Sequence, residues 1–358
     1  MNVVAHNALI LALVLGSLVF LGRRARPGQT GPSSQARLAL GLEIGLAFAC
    51  IASTVAFGGD LFGMAQLGAW SVFLHVPLYL LGLAVLFWKD RPALSRGLVA
   101  VVAAIALIAL DAFVIEPHWL DVNTVTVTSA KLNESMRVVV IADIQTDRPG
   151  PYEARVLETA MDQSPDLILF AGDYIHLGRK SQCYEEEIAA LRELLLEADV
   201  HAPLGIYAIA GNVDRSGQWT HIFDGLPATT IETTTGYDLG SVKLTGLAMM
   251  DAFGVELDLP TEDQFHIVMG HSPNFALSPG TGDLLIAGHT HGGQVRLPFI
   301  GPPLTLTVVP RSWASGVTEI DADTTLIVSR GIGMERAAAP RLRFLCRPEL
   351  VVVDLVPQ

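Results

Sequence analysis

The sequence is short of cysteine and of charged residues, and each shortage excludes a class of protein. Three cysteines in 358 residues, Cys50, Cys183 and Cys346, with no CxxC pair argue against a disulfide-stapled small domain and against a thiolate zinc site. Charged residues make up 16% and hydrophobic residues 51%, which excludes a disordered chain. The net charge of −13 argues against nucleic acid as the main partner, because phosphate backbones are bound by basic surfaces.

Several catalytic signatures are also missing. The sequence contains no GxSxG nucleophile elbow, no Walker-type GxxxxGK, no HExxH and no GxGxxG. These absences exclude the simplest versions of a serine hydrolase, a P-loop NTPase, a zinc protease and a dinucleotide-binding enzyme.

The hydrophobic residues are concentrated in the first third of the chain, and the mean hydropathy of the whole chain is +0.44. Four apolar runs are each long enough, at about 1.5 Å rise per residue, to cross a hydrocarbon core of about 30 Å. We therefore predict a transmembrane anchor in residues 1–118 of a multi-pass protein of the inner cell membrane. The runs lie at 3–21, 38–57, 67–88 and 97–115.

The loops between these runs predict an orientation. The first and third connections are basic, whereas the second carries only Asp60. Because loops rich in Lys and Arg stay in the cytoplasm, the N-terminus and everything beyond Glu116 are expected to be extracytoplasmic. The two parts of the chain also differ in charge: residues 1–118 have 7 basic and 5 acidic side chains, whereas residues 119–358 have 16 basic and 31 acidic side chains. The basic loop residues are Arg23, Arg24, Arg26, Arg37, Lys89, Arg91 and Arg96.

Glu43, His75 and Asp111 are ionisable residues that lie inside the apolar runs. Glu43 and Asp111 lie near the ends of their runs, from which a side chain reaches the membrane interface. His75 lies deeper, and a hydrogen bond between helices is the expected role.

Residues 119–358 have the pattern of an α/β domain. Short aliphatic runs bounded by turn residues predict buried strands, and alternation over 121–128 predicts a half-exposed strand. Helical patterns occupy 152–162 and 183–197. The buried strands are predicted at 137–141, 167–170, 206–210, 266–269, 284–287 and 326–329.

Five of these strands run directly into short polar clusters. Because the carboxyl ends of strands form the ligand-binding edge of an α/β sheet, the clusters are expected to converge on one crevice. In the first and last clusters the polar residues are two apart, and in extended backbone such residues point the same way. Together the clusters offer seven donors: Asp143, Gln145, Asp173, Asn212, His271, His289 and His291.

These donors suit a pair of metal ions. Oxygen and imidazole ligands without thiolate are preferred by divalent Mn, Fe and Zn. Seven donors are more than one ion takes from a protein, and they suit two ions about 3.5 to 4 Å apart. The two aspartates leave a net positive site, which favours a phosphate group and a metal-bound hydroxide.

The order DIQ, GD, GNVD, GH and GHTHGGQ resembles the signature of the calcineurin-like metallophosphoesterase superfamily, DxH, GD, GNH[DE], GH and GHxH. With the later SRGIG segment, residues 136–354 look like its bacterial transmembrane branch. The resemblance implies a β-sandwich flanked by helices, and a phosphoesterase with Asp173, Asn212 and His271 as catalytic residues. By motif, Asp143, Gln145 and His291 would bind the first ion, Asp173 would bridge, and Asn212, His271 and His289 would complete the second.

Two residues depart from the family pattern. Gln145 stands where most members have His, which predicts weaker binding of the first ion and a preference for Mn over Zn. Val213 stands where members have the His that protonates the leaving group. Because a phosphate leaving group needs less acid help than an alkoxide, we expect a phosphoanhydride or an activated diester as substrate. His176 and His221 are alternative acids, although a structural or surface role is expected for both.

The sequence thus predicts a membrane-anchored, dinuclear phosphoesterase acting on a lipid-linked or membrane-proximal phosphate. Arg330, at the end of a predicted strand, is expected to bind the substrate. One alternative is a metal-binding membrane sensor whose site has decayed at Gln145 and Val213. Another is a UDP-2,3-diacylglucosamine-type pyrophosphatase, if the domain is cytoplasmic. Whether Cys183 and Cys346 form a disulfide stays open.

Overall fold

The computed structural model describes residues 1–24, 32–178 and 183–358, and these form two compact units. The first unit contains residues 1–112 and 338–340, and the second contains 113–337 and 341–358. Arg26, one of the residues used to predict the orientation, lies outside the described residues, as do the side chains of Arg24 and Arg37.

The first unit is helical, and its segments are long and apolar enough to cross a membrane in four places: Val3–Arg23, Leu40–Gly58, Leu61–Phe87 and, continuing into the second unit, Pro92–His118. The third segment starts six residues before its predicted beginning, because Asp60 caps it by accepting a hydrogen bond from the Gly63 N–H at 2.7 Å. The helices are α1 (Val3–Arg24), α2 (Pro32–Gly58), α3 (Leu61–Trp70), α4 (Val76–Phe87) and α5 (Pro92–Leu110), with π-helical turns at Ser71–His75 and Asp111–Ile115.

A buried polar cluster joins the helices of this unit. His6 hydrogen-bonds through Nδ1 with Ser53 Oγ at 2.8 Å and through Nε2 with Ser71 Oγ at 3.2 Å. The hydrogen bond between helices expected for His75 is therefore made by His6. His75 packs its ring 5.5 Å from that of His6, and neither of its ring nitrogens has a hydrogen-bond partner in the described part of the chain.

The second unit contains two mixed six-stranded sheets, and the predicted α/β fold class is confirmed. The first sheet has the order β1 (Asp121–Ser129), β12 (Glu349–Pro357), β2 (Met136–Ile141), β3 (Leu167–Phe170), β4 (Ile206–Ile209) and β5 (Ala228–Ile231). The second has the order β10 (Gly316–Glu319), β11 (Thr325–Val328), β9 (Leu284–Ala287), β8 (Phe265–Met269), β7 (Val242–Gly246) and β6 (Thr235–Asp238). The described residues of this unit also form three α-helices: α6 (Pro151–Asp162), α7 (Tyr184–Glu197) and α8 (Met249–Phe253).

The sheets pack face to face, and the central strands are buried on both faces. In β2, Val138 and Val140 belong to the core that the strands of both sheets share, whereas Val139 and Ile141 pack with residues of α6 and α7. A strand covered on both faces gains no benefit from polar residues at alternate positions. This is why these strands read as unbroken aliphatic runs in the sequence.

Candidate metal centre

The polar clusters lie at the carboxyl ends of β2, β3 and β4 in the first sheet and of β8 and β9 in the second. The backbone at these clusters is not extended. The prediction that polar residues two apart point the same way because they lie in extended backbone was therefore wrong. The left-handed φ values cost about 1 to 3 kcal/mol each and are sustained by surrounding contacts. They are 51° at Asp143, 35° at Gln145, 58° at Asp173, 69° at His289 and 48° at His291.

Asp143 connects the two sheets at the centre of the site. Its backbone N–H donates to Gly172 O at 3.0 Å, and its Oδ1 accepts a hydrogen bond from the His289 N–H at 2.9 Å. Its Oδ2 is buried without a hydrogen-bond partner in the described residues. Burial raises the pKa of Asp143 to about 7. One oxygen of this buried carboxylate is therefore left without a hydrogen-bonding group by the described residues.

Three side chains meet next to Asp143. Ligand atoms of Asp173, His271 and His289 all lie within 4.8 Å of one another. His271 donates from Nδ1 to Ala171 O at 2.8 Å, so in the neutral ring Nε2 is the basic nitrogen. That Nε2 lies 3.4 Å from Asp173 Oδ2 and 3.2 Å from Asn212 Oδ1.

His289 presents a second basic nitrogen to this group. Its Nε2 is buried and has no hydrogen-bond partner among the described residues. Burial and then the neighbouring His271 lower the pKa of His289 to about 4, which keeps the ring neutral, as metal coordination requires. The contact with the edge of the Phe253 ring, 4.9 Å between centroids, holds it in place.

Gln145 and His291 form the other half of the site. Gln145 Oε1 contacts His291 Nε2, while Gln145 Nε2 donates to Glu335 Oε2 at 3.0 Å and lies 2.9 Å from His176 Nδ1. A carboxylate accepts hydrogen bonds and does not donate them, so the amide nitrogen faces Glu335 and the amide oxygen faces the site. Glu335 is therefore a site residue that the motifs did not reveal, because it is 190 positions from Gln145.

Asp214 has a structural role within the GNVD motif. Its Oδ2 accepts hydrogen bonds from the backbone N–H groups of Gly211, at 2.7 Å, and Asp173, at 2.8 Å. Its Oδ1 accepts one from the Tyr174 N–H at 2.9 Å. Asp214 thus holds the loops after β3 and β4 together, which fixes the position of the Asp173 carboxylate.

The donor set fits divalent cations. Every predicted donor lies at this edge, the set contains oxygen and imidazole nitrogen without thiolate, and the Asp143 and His289 side chains each leave a buried atom unpaired. Gly331 leaves room for the Asp143 side chain, because a Cβ at position 331 would lie 2.7 Å from Asp143 Cβ.

Comparison with known proteins identifies the domain. Residues 136–293 match the sequence profile described as calcineurin-like phosphoesterase. The chain is 29% identical over 291 residues to the uncharacterized metallophosphoesterase YkuE of Bacillus subtilis, covering 74% of this chain and 97% of YkuE. Residues 136–293 are a calcineurin-like phosphoesterase domain. The predicted family and the predicted enzyme class, a metal-dependent phosphoester hydrolase, are thereby confirmed.

Two more distant relatives of this phosphoesterase have more specific names. The chain is 25% identical to the phosphodiesterase YaeI of Escherichia coli, over 67% of this chain and 90% of YaeI. It is 22% identical to the UDP-2,3-diacylglucosamine pyrophosphatase LpxG of Chlamydia trachomatis, over 73% of this chain and 96% of LpxG.

The arginine predicted to bind substrate is engaged elsewhere in the phosphoesterase domain. Arg330 Nη2 donates to Asp121 at 2.7 Å and to Glu349 at 3.1 Å, so its charge is balanced by two carboxylates. The structure gives no support to the predicted phosphate contact. The buried cation beside the site is Arg343, which is fully buried and lies 3.5 Å from His291 Nδ1.

The phosphoesterase domain has no histidine side chain at position 213. The backbone N–H of Val213 donates to Asp173 Oδ1 at 2.9 Å, and its side chain has no proton to transfer. Of the two alternative acids, His221 is exposed and hydrogen-bonds with Asp224 at 3.0 Å, as expected for a surface residue. His176 lies beside Gln145 and Glu335.

The two cysteines of the phosphoesterase domain lie in different environments. Cys346 is buried and directs Sγ at His291 O, 3.3 Å away, whereas Cys183 is exposed. No disulfide joins them in the described residues.

Proposed function

We propose that this phosphoesterase is anchored in a membrane and uses two divalent ions to hydrolyse a phosphodiester or phosphoanhydride that is lipid-linked or close to the membrane. The observation that carries the proposal is the convergence of seven oxygen and nitrogen donors on one edge of two sheets, with Asp173, His271 and His289 within 4.8 Å. The family makes divalent ions the expected cofactors. Mn is favoured over Fe and Zn, because the amide oxygen of Gln145 replaces an imidazole.

Two groups of residues would hold the ions. Asp143, Gln145 and His291 would bind the first, Asn212, His271 and His289 the second, and Asp173 both. Bound ions of this kind lower the pKa of water and polarise phosphoryl oxygens. Through the His271 N–H bond to Ala171 O, the protein keeps Nε2 available, and through Asp214 it fixes Asp173. Asn212 is the exposed donor of the set and is placed to contact a phosphoryl oxygen of the substrate.

The lack of a proton donor at Val213 indicates which leaving groups the site favours. Without a proton donor at this position, bonds whose leaving group departs as a stable anion are favoured, and a lost general acid typically costs 10²- to 10⁴-fold. We infer that a phosphoanhydride or an activated diester is cleaved in preference to a monoester. The names of YaeI and LpxG, a phosphodiesterase and a pyrophosphatase, agree with this preference.

The location of the substrate follows from the membrane-spanning segments. The helices Val3–Arg23, Leu40–Gly58, Leu61–Phe87 and Pro92–His118 would anchor the chain, with the phosphoesterase domain outside the cytoplasm. We favour a phospholipid or lipid pyrophosphate. A UDP-lipid such as the one named for LpxG comes first only if the domain is cytoplasmic.

The test uses the full chain in detergent with Mn, and compares bis-p-nitrophenyl phosphate with p-nitrophenyl phosphate. We expect hydrolysis of the diester to exceed that of the monoester, and Asp173→Ala to abolish it, because the bridging carboxylate is lost. Asp238→Asn on β6 is the control and should keep full activity. Bound metal without hydrolysis of either compound would contradict the proposal and favour a metal-binding sensor. A preference for the monoester would contradict the interpretation of Val213.

A further inference from the structure

The segment that follows His291 leaves unusually many apolar side chains in solvent. We call residues 297–308 the apolar loop. Phe299 is fully exposed, Ile300 is 63% exposed and Val308 is 67% exposed, and Leu297, Leu304 and Leu306 are also exposed. Soluble domains rarely leave contiguous apolar residues uncovered, and such patches mark contact with a membrane or another protein.

The charge of this segment differs from the rest of the domain. No acidic residue occurs between Asp283 and Glu319, whereas residues 119–358 carry 31 acidic and 16 basic side chains. The only charged residues in that interval are Arg296 and Arg311, one on each side of the apolar loop. An apolar stretch flanked by arginines is complementary to an anionic lipid surface.

The tip of the apolar loop pairs part of its own backbone. Leu297 N–H donates to Gly301 O and Gly301 N–H donates to Leu297 O, both at 2.9 Å, and Ile300 N–H donates to Leu297 O at 3.1 Å. The turn places Phe299 at φ +66°, an uncommon conformation for an aromatic residue. Each of these hydrogen bonds reduces the number of backbone groups that would lose water when the tip enters the lipid interface.

The base of the apolar loop lies at the metal centre. The backbone of Leu306 interacts with the His289 side chain. The Val308 N–H donates to Asn274 Oδ1 at 3.2 Å. Pro302 of the apolar loop packs closely against Gly293, and a Cβ added to Gly293 would lie 2.2 Å from Pro302 Cβ. A surface that contacts the loop is thus next to the centre.

A bilayer is the occupant that the rest of the chain favours. Only Trp119 and Leu120 separate the membrane-length segment Pro92–His118 from β1. Two residues span at most about 10 Å, so the domain stays near the surface of any membrane that this segment crosses.

We propose that the apolar loop is a second membrane contact, which inserts Phe299 and Ile300 into the lipid interface and so positions the opening of the metal centre next to lipid head groups. The contact itself is independent of the proposed function. Its consequence for catalysis, preferential access for phosphate esters embedded in the bilayer, rests on that function.

The contact is tested with spin labels on the full chain in nanodiscs that contain anionic phospholipid. Cys183→Ser removes the exposed cysteine, and Phe299→Cys then places a nitroxide at the tip. The control is Leu196→Cys, an exposed apolar position at the end of α7, the helix that packs on the first sheet. We expect oxygen, which partitions into lipid, to relax the label at 299 more than the label at 196. A neutral nickel chelate in water should relax the label at 299 less than the label at 196.

Two results would overturn the proposal. One is a label at 299 that the nickel chelate reaches as readily as the label at 196. The other is a label shielded from both reagents with spin–spin broadening, which would show that a second copy of the chain covers the loop.

The catalytic consequence is measured separately. The Phe299→Ser and Ile300→Ser double variant should lose hydrolysis of a phosphodiester lipid in vesicles and keep hydrolysis of soluble bis-p-nitrophenyl phosphate. Equal rates with the vesicle substrate before and after substitution would refute preferential access. Failure of the unsubstituted protein on both substrates would refute the proposed function, and the label result would still decide the contact.

Discussion

Gln145 works as a ligand only if its amide oxygen, and not its nitrogen, faces the site. The carboxylate of Glu335 enforces this orientation by accepting a hydrogen bond from Gln145 Nε2 at 3.0 Å. The same hydrogen bond draws electron density toward the amide oxygen and strengthens it as a donor. At the proposed ion site, this neighbour from far along the chain would compensate in part for the missing imidazole.

We predict that Glu335→Ala weakens binding of one of the two ions by about 10- to 100-fold, the usual effect of losing an outer-shell partner. Manganese titration followed by electron paramagnetic resonance measures both sites. Glu319→Ala, on the edge strand β10, should leave both affinities unchanged. In a Gln145→His background the effect of Glu335→Ala should shrink, since an imidazole does not need the amide to be oriented. Unaltered binding in Glu335→Ala itself would disprove this role.

Glycine at position 331 is required by space as well as by backbone conformation. Its φ is +71°, and an added Cβ would lie 2.7 Å from Asp143 Cβ and 2.8 Å from Asp143 Oδ2. We predict that Gly331→Ala displaces Asp143 and removes bound metal, which elemental analysis of the purified protein measures. Gly280→Ala is a matched control, because Gly280 has a φ of +69° with no atom near its Cβ position. It should lose about 1 kcal/mol of stability and keep its metal.

The seven donors were predictable because each follows a strand, and the motifs fix their order. Glu335, Asp214 and Arg343 were not, because their roles come from contacts with residues up to 190 positions away. Arg330 ends a strand as the donors do, and it pairs with Asp121 and Glu349. Its contact with substrate stays a prediction.

At the scale of elements, Arg343 holds the segment that follows β11 against the site. Its guanidinium is fully buried and donates to backbone carbonyls of that segment and of Cys346. The contacts include Arg330 O at 2.7 Å, Gly331 O at 3.2 Å, Gly333 O at 2.9 Å and Cys346 O at 3.0 Å.

We predict that Arg343→Met lowers the free energy of unfolding by about 3 kcal/mol or more, because several buried carbonyls lose their donors at once. Denaturant unfolding of the full chain in detergent, followed by tryptophan fluorescence, measures the change. Arg341→Met is the comparison: its side chain is half-exposed and pairs with Asp147, so the cost should stay below about 1 kcal/mol. Similar losses for the two variants would contradict the assignment.

Six buried strands of the second unit could be predicted within about a residue at each end, because they are aliphatic runs bounded by turns. They are β2, β3, β4, β8, β9 and β11. The edge strands β6 and β10 were missed, since half of their side chains are exposed and they carry no apolar run. β5 and β7 were also missed, because threonine and lysine residues interrupt their apolar positions. β12 has an apolar run typical of a strand and was also absent from the prediction. Its place between β1 and β2 depends on pairing across more than 200 residues, which local sequence does not encode.

For the whole molecule, the distribution of basic loops predicts that everything after Glu116 lies outside the cytoplasm. Fusions truncated after Glu116 should therefore activate alkaline phosphatase, which folds only in an oxidising compartment, and should leave a green fluorescent reporter dark. Fusions after Asp90, in the basic third connection, should give the opposite pattern. Fluorescence from the fusion after Glu116 would reverse the topology and make the UDP-lipid substrate the first candidate.

The ligands of the proposed ions come from both sheets, the carboxylates and amides from the first and the three imidazoles from the second. Bound metal would then link the two sheets of the domain, and its binding free energy would add to the free energy of folding. A chain cut between β5 and β6 leaves the carboxylate and amide ligands on one fragment and the three imidazoles on the other, while β12 of the second fragment pairs with β1 and β2 of the first. The two fragments should reassemble far better with manganese than with chelator, so cellular metal supply would govern how long the enzyme survives as well as how fast it works.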